Sequence, residues 1–280
     1  FTRFFKFKRI PVISIFYHYE NPRSIGDYLN LPFYNYLAKK QFSKHKNIIT
    51  ASESSKKQVI DFYDVKSEYI KFIPYGINLE RFNPKNHNPE IKNKFGNSIL
   101  LYVGAFYERK RIPILLKAMT NIIKQIPEAH LILIGTGQML DYCKKFSKLL
   151  GIDQNVTFLG FVKDDLIRKY YASSEIFILP SELEGYGLVI LEAMASGTPV
   201  ICANKPPMSK IIENGGRTFK LNNSNDLSKK IIMLLNDREE LSKLKRNALL
   251  IVKKYEWNHI IKIYIDYLNE KINLNINRYD

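Results

Sequence analysis

Apolar β-branched runs that end at glycine and give way to helical patterns recur through the second half of the chain. Strands are expected at 98–103, 130–134, 156–159, 175–179 and 199–202, each followed by a helix-period segment. Such alternation leaves few solutions other than a parallel, doubly wound α/β sheet. Gly104, Gly135 and Gly137, Gly160, and Gly185 and Gly187 all fall just after strands. They rim the carboxyl edge of the sheet, where such sheets take ligands and where a missing Cβ lets a backbone come close. Shorter runs at 11–16, 48–51 and 69–73 predict strands of the same kind in the first half, with Ser52 capping a helix to about Phe62. The polar tract 85–97 reads as a linker between the halves.

One of these strand–turn–helix junctions carries chemistry. Leu179-Pro180-Ser181-Glu182-Leu183-Glu184-Gly185-Tyr186-Gly187-Leu188 leads into a helix expected to begin near Tyr186 and to stop at Gly197, with Glu192 inside it. Free amides and the positive end of a helix dipole suit a phosphate. Carboxylates on both sides would repel a bare phosphate but accept hydroxyls, so the ligand this junction fits is an anion flanked by sugars. A nucleoside diphosphate joined to a sugar meets both demands. The plainer reading of Glu192 is a salt bridge to a nearby lysine, and that of Glu182 is a solvated surface acid.

This stretch resembles the signature of family-4 glycosyltransferases, retaining enzymes of the GT-B fold whose motif is two glutamates separated by seven residues. The resemblance extends over most of the chain. It implies two Rossmann-like doubly wound domains, the N-terminal one incomplete: a partial acceptor-side domain at 1–84, the linker at 85–97, a donor-binding domain at 98–256 and a closing helix at 257–280. It also implies that Glu184 lies against the donor sugar, that the backbone of Gly185, Tyr186, Gly187 and Leu188 holds the diphosphate, and that Glu192 takes the ribose hydroxyls. Lys110, in the loop after Gly104, corresponds to a lysine that neutralises the departing diphosphate. Ala105 stands where relatives often carry an arginine, with Arg109 the nearest replacement, and Arg111 stands where a glycine is frequent. Phe161 and Val162 match a loop whose backbone lies by the base, with a core position as the alternative. His18, at a strand end, matches a histidine facing the donor sugar, although a lone histidine is more often structural. The expected catalytic residues are thus Glu184, His18 and Lys110, with no metal and no cofactor beyond the nucleotide-sugar donor.

The expected activity is transfer of a sugar to a hydroxyl acceptor with retention. A nucleotide-sugar epimerase of the same architecture and a donor-binding fragment without transferase activity are the alternatives. The chain has 280 residues, 45% of them hydrophobic, enough for two cores. The net charge of +16 favours anionic partners, but the first 84 residues carry fourteen Lys and Arg against seven Asp and Glu, so the excess is spread over both halves. That distribution argues against a nucleic-acid stripe. No sequence run suggests a membrane span or a signal peptide, so the expected location is the cytoplasm. Aromatic residues Phe33, Tyr34 and Tyr36 beside Lys39 and Lys40 suggest peripheral contact with an anionic inner membrane face, or an ordinary helix face. Cys143 and Cys202 read as small buried side chains. The chain starts at Phe1, and its front matches only the later half of the family's N-terminal domain, so it is read as a fragment or truncated gene product.

Overall fold

The computed structural model describes residues 14–16, 36–37, 39–40 and 46–276. The chain forms two compact units, one of residues 1–76 with 257–280 and one of residues 77–256.

In the first unit, β1 (Ser14–Phe16), β2 (Ile48–Thr50) and β3 (Ile70–Phe72) form a parallel sheet in the order β1-β2-β3. Successive strand side chains point to opposite faces, and β2 shows it. Ile48 enters one cluster with Val59, Tyr63, Val65 and Ile70, while Ile49 enters another with Ile73, Ile260 and Tyr267. Helix α1 (Glu53–Tyr63) covers the first face. Its start is set by Ser52, whose hydroxyl accepts from the Ser55 amide at 3.0 Å, and its end by Asp64 in the left-handed region.

The last helix of the chain covers the second face. It runs Trp257–Ile276 and supplies Ile260, Ile263, Tyr264 and Tyr267, a helical stripe, to the Ile49 cluster. Trp257 lies over Gly76, where a Cβ would come within 2.5 Å of the indole Cδ2, so glycine at 76 makes room for the ring.

The second unit holds a six-stranded parallel sheet. Its strands are β4 (Ile99–Val103), β5 (His130–Ile134), β6 (Val156–Gly160), β7 (Ile176–Leu179), β8 (Val200–Ala203) and β9 (Gly216–Phe219), in the order β6-β5-β4-β7-β8-β9. β4, β7 and β8 are buried throughout, as parallel strands covered on both faces are. The order reverses direction between β4 and β7. The crevice beyond their carboxyl ends is where a doubly wound sheet binds ligands.

Two expectations are corrected here. The tract expected as a linker is folded: Asn88 caps α2 (Pro89–Phe95), whose Ile91 and Phe95 are buried and whose Lys92 reaches Glu175 at 2.8 Å. Polarity misled because the helix is short and its apolar side is two residues. β9 was not foreseen, since Gly215, Gly216 and Arg217 dilute the apolar signal that marks the other strands. Cys143 and Cys202 are free and fully buried, and burial pushes their thiols up to about 11 and about 12. Among the described residues no helix is long and apolar enough to cross a membrane.

Candidate functional site

The loop after β4 and the loop after β7 meet at the reversal of strand order, and they are stapled together through both backbone and side chains. The Glu182 amide donates to the Arg109 carbonyl at 2.8 Å, and an Arg109 guanidinium nitrogen donates to the Leu183 carbonyl at 3.1 Å. Arg111 closes the staple from the other side, its Nε donating to Glu182 Oε2 at 2.9 Å. Glu182 is therefore a structural partner rather than a solvated acid.

At the centre of this staple Lys110 Nζ meets Glu184 Oε1 at 2.6 Å, with only 11% and 9% of the two side chains exposed. Lys110 is aimed there by a single 3₁₀ turn, Glu108–Lys110, that closes with the Lys110 amide on the Tyr107 carbonyl. The two residues expected to act on the diphosphate and on the sugar are thus brought into contact with each other. A desolvated pair of this kind is held by geometry more than by net energy, and either charge alone would be costly. An arriving anion would compete with Glu184 for the lysine. Tyr102 supports the same loop, its hydroxyl donating to the Ala105 carbonyl at 3.0 Å, and burial followed by the charge of Glu184 holds its phenol well above the ordinary value.

The glycine rim divides into two kinds. At Gly135 a Cβ would come within 2.0 Å of the Gly104 carbonyl oxygen, so this glycine serves the packing of one loop on the next. Gly104 itself leaves room for the Tyr102 hydroxyl, 2.9 Å from a hypothetical Cβ. Gly187, with φ +98, has no backbone atom within 4 Å of a hypothetical Cβ and ends the loop, so the helix α6 that follows runs Leu188–Ala195 and begins two residues later than Tyr186. Helices between β4 and β7 are α3 (Ile112–Gln125), α4 (Leu140–Leu149) and α5 (Asp164–Ser173). The first turn of α6 holds no acidic residue and no side-chain cap, so no side chain of the helix itself offsets its N-terminal amides. Tyr186 is buried and Leu188 is exposed.

Glu192 lies about one turn into α6. Its Oε2 accepts a hydrogen bond from Tyr171 Oη of α5 at 2.8 Å. Burial raises the Glu192 carboxyl, against the Tyr171 hydrogen bond and the charge of Arg81, which lower it. Arg81 is itself bound to Asp164 at 2.7 Å. The lysine salt bridge considered for Glu192 does not form; its partner is a phenol.

Phe161, at the end of the edge strand β6, is 81% exposed, so the core alternative does not apply to it, and Val162 beside it is half-buried. His18, Phe33 and Tyr34 lie outside the described residues. Tyr171, Tyr102 and Arg81 were missed by sequence reasoning. Tyr171 sits in a Tyr-Tyr pair that reads as helix packing, and nothing local marks its hydroxyl. The Arg111–Glu182 pair had a signal, the arginine standing in for a glycine.

Residues 84–250 match the family described as Glycosyl transferases group 1. An uncharacterised glycosyltransferase of Methanocaldococcus jannaschii is 32% identical over 226 residues, covering 77% of this chain and 57% of that protein. The sulfoquinovosyl transferase of Arabidopsis thaliana is 31% identical, covering 65% of this chain and 36% of that protein. The chain therefore spans about half the length of the curated relatives it matches. Among solved structures, Anabaena HepE in complex with UDP aligns with a TM-score of 0.79 at 22% identity, covering 93% of this chain and 72% of that one. Sucrose-phosphate synthase from Thermosynechococcus elongatus aligns at 0.75 with 23% identity, covering 94% and 68%. With the fold given by these neighbours and more than half of the chain within the matched region, the chain belongs to the group 1 glycosyl transferases and has the GT-B architecture.

Proposed function

We propose that the chain is a retaining, family-4 glycosyltransferase that moves a sugar from a nucleoside diphosphate to a hydroxyl acceptor, with the donor held by the unit of residues 77–256. The observation that carries the reading is the Lys110–Glu184 contact of 2.6 Å at the strand-order reversal, beside a helix start free of acidic residues. Neighbouring folds crystallised with UDP and with UDP-glucose support a nucleotide-sugar donor.

In this reading the diphosphate displaces Glu184 from Lys110 and lies on the amides around Gly187 and Leu188. The Glu184 carboxylate then accepts hydroxyls of the donor sugar, and Glu192 those of the ribose. The bond between the anomeric carbon and the diphosphate oxygen breaks as negative charge grows on that oxygen. Lys110 and the α6 amides stabilise this charge without a metal ion. The acceptor oxygen bonds the anomeric carbon from the same face, and its proton passes to the leaving phosphate. Arg109, already spent in part on the Leu183 carbonyl, adds positive charge at the loop. Phe161 and Val162 border the base.

The test is Glu184→Gln, assayed with uridine, guanosine and adenosine diphosphate sugars by release of the nucleotide. Turnover should fall about a hundredfold, the scale set by misplacing a reacting centre, while affinity for the free nucleoside diphosphate changes little and EDTA leaves wild-type turnover unaltered. Unchanged turnover in the variant removes Glu184 from the reaction.

A further inference from the structure

Tyr171 is wholly buried, yet its hydroxyl is directed at one oxygen of a carboxylate at the candidate site. Its surroundings pack it on several sides. The ring lies between Phe82, edge-on with centroids 6.0 Å apart, and Phe177, tilted at 5.5 Å. Its backbone carbonyl accepts the Thr198 hydroxyl at 2.6 Å. Burial first, and then the charge of Glu192, hold the phenol well above its ordinary value, so it stays a donor. Glu192 Oε1, by contrast, accepts no hydrogen bond among the described residues.

A glutamate on a helix face has three rotatable side-chain bonds and samples several rotamers unless something holds it. With Oε2 anchored at 2.8 Å to a wholly buried phenol, the carboxylate is restricted to few orientations and one acceptor is left to present. We propose that Tyr171 is a positioning residue that sets the nucleoside specificity of this site: by locking Glu192 it turns a flexible acid into a reader of ribose hydroxyls. The inference rests on the reading of Glu192 as the ribose acceptor and adds to it the device that makes that acceptor selective. Buried polar sites discriminate strongly against ligands lacking the matching hydroxyl because the site group is then left unpaired.

The experiment compares binding of uridine, guanosine and adenosine diphosphates with that of their 2′-deoxy and 3′-deoxy counterparts by calorimetry, in wild type, Tyr171→Phe, Glu192→Gln and the double variant. Wild type should prefer the ribonucleotide over at least one deoxy form by about tenfold or more, the worth of a hydrogen bond to a charged group. Tyr171→Phe should reduce that preference to about threefold or less while affinity for the deoxy compound stays within about twofold. The double variant should lose no more selectivity than Glu192→Gln alone, since the phenol acts through the carboxylate. If Tyr171→Phe does not fold, Tyr171→Met, which also removes the hydroxyl and leaves Glu192 intact, should show the same loss. A wild type that binds both nucleotides equally overturns the ribose role of Glu192 and the inference with it. A wild-type preference that survives in Tyr171→Phe, or in Tyr171→Met where that variant must stand in, overturns the role of Tyr171 alone.

Discussion

Arg111 has φ 51 and ψ 31, a left-handed backbone that a side chain with a Cβ enters at a cost of about 1 kcal/mol. The resemblance to family-4 enzymes leads one to expect glycine there, and the backbone explains why. What offsets the strain is the guanidinium on Glu182, a pair with 32% and 42% of its side chains exposed and worth at most about 1 kcal/mol. The prediction separates the two terms: Arg111→Ala keeps the strain and loses the pair, whereas Arg111→Gly loses both. Glycine should therefore leave thermal stability near wild type and alanine should lower it by about 1 kcal/mol relative to glycine. In both variants the loop bearing Glu184 is less firmly stapled and turnover should fall; equal melting temperatures for the two would refute the strain. This residue also shows how far the site could be read in advance. Glu184, Glu192 and Lys110 can be singled out as candidates because their spacing and their place after strands are local properties of the chain. Their partners cannot: Lys110 meets Glu184 across 74 positions and Tyr171 meets Glu192 across 21, and no local pattern encodes which side chains the fold brings together.

Strands with dense apolar runs were placed within a residue or two of their observed ends, since a parallel strand buried on both faces must be apolar throughout. Elements held by sparse or charged contacts were not, and α2 is the clearest case. Its attachment depends on Glu175, the buried acid just ahead of β7, which bonds Lys92 of α2 at 2.8 Å and Lys245 of α7 (Arg238–Val252) at 2.7 Å. In sequence this is one glutamate and two lysines among many. Burial pushes the Glu175 carboxyl up, but hydrogen bonds from Lys245 and Lys92 outweigh it, so its folded value lies below the ordinary carboxylate range. A lowered folded value means that this stabilisation is fully present above the unfolded value and is lost as pH falls through the folded one. Glu175→Gln should cost about 1–3 kcal/mol at neutral pH, because two half-exposed lysines lose an ionised partner. Its acid unfolding profile should be flatter than that of wild type below the ordinary carboxylate range. A variant whose loss of stability stays constant from neutral pH into that range would contradict the coupling.

At the scale of the whole chain, the two units differ in how they are wired. The unit of 77–256 is a continuous stretch with its own six-stranded sheet, and it holds Lys110, Glu184, Glu192 and Tyr171. The other is discontinuous, and its three-stranded sheet depends on a helix that returns from the far end of the chain. Removing the residues after Glu256 strips Ile260 and Tyr267 from the cluster beneath β2 and takes away Trp257 over Gly76. Each buried large side chain contributes about 1.5–3 kcal/mol, so losing two or three of them consumes most of the 5–15 kcal/mol that stabilises an ordinary domain. A chain ending at Glu256 should therefore lose hydrogen-exchange protection in β2, α1 and β3, while β4 to β9 keep theirs. Because the proposed donor residues all lie in the continuous unit, nucleoside diphosphate affinity should survive the same truncation. Protection retained in β2 would show that α8 (Trp257–Ile276) is dispensable to its sheet, and loss of protection in β4 would show that the continuous unit relies on it.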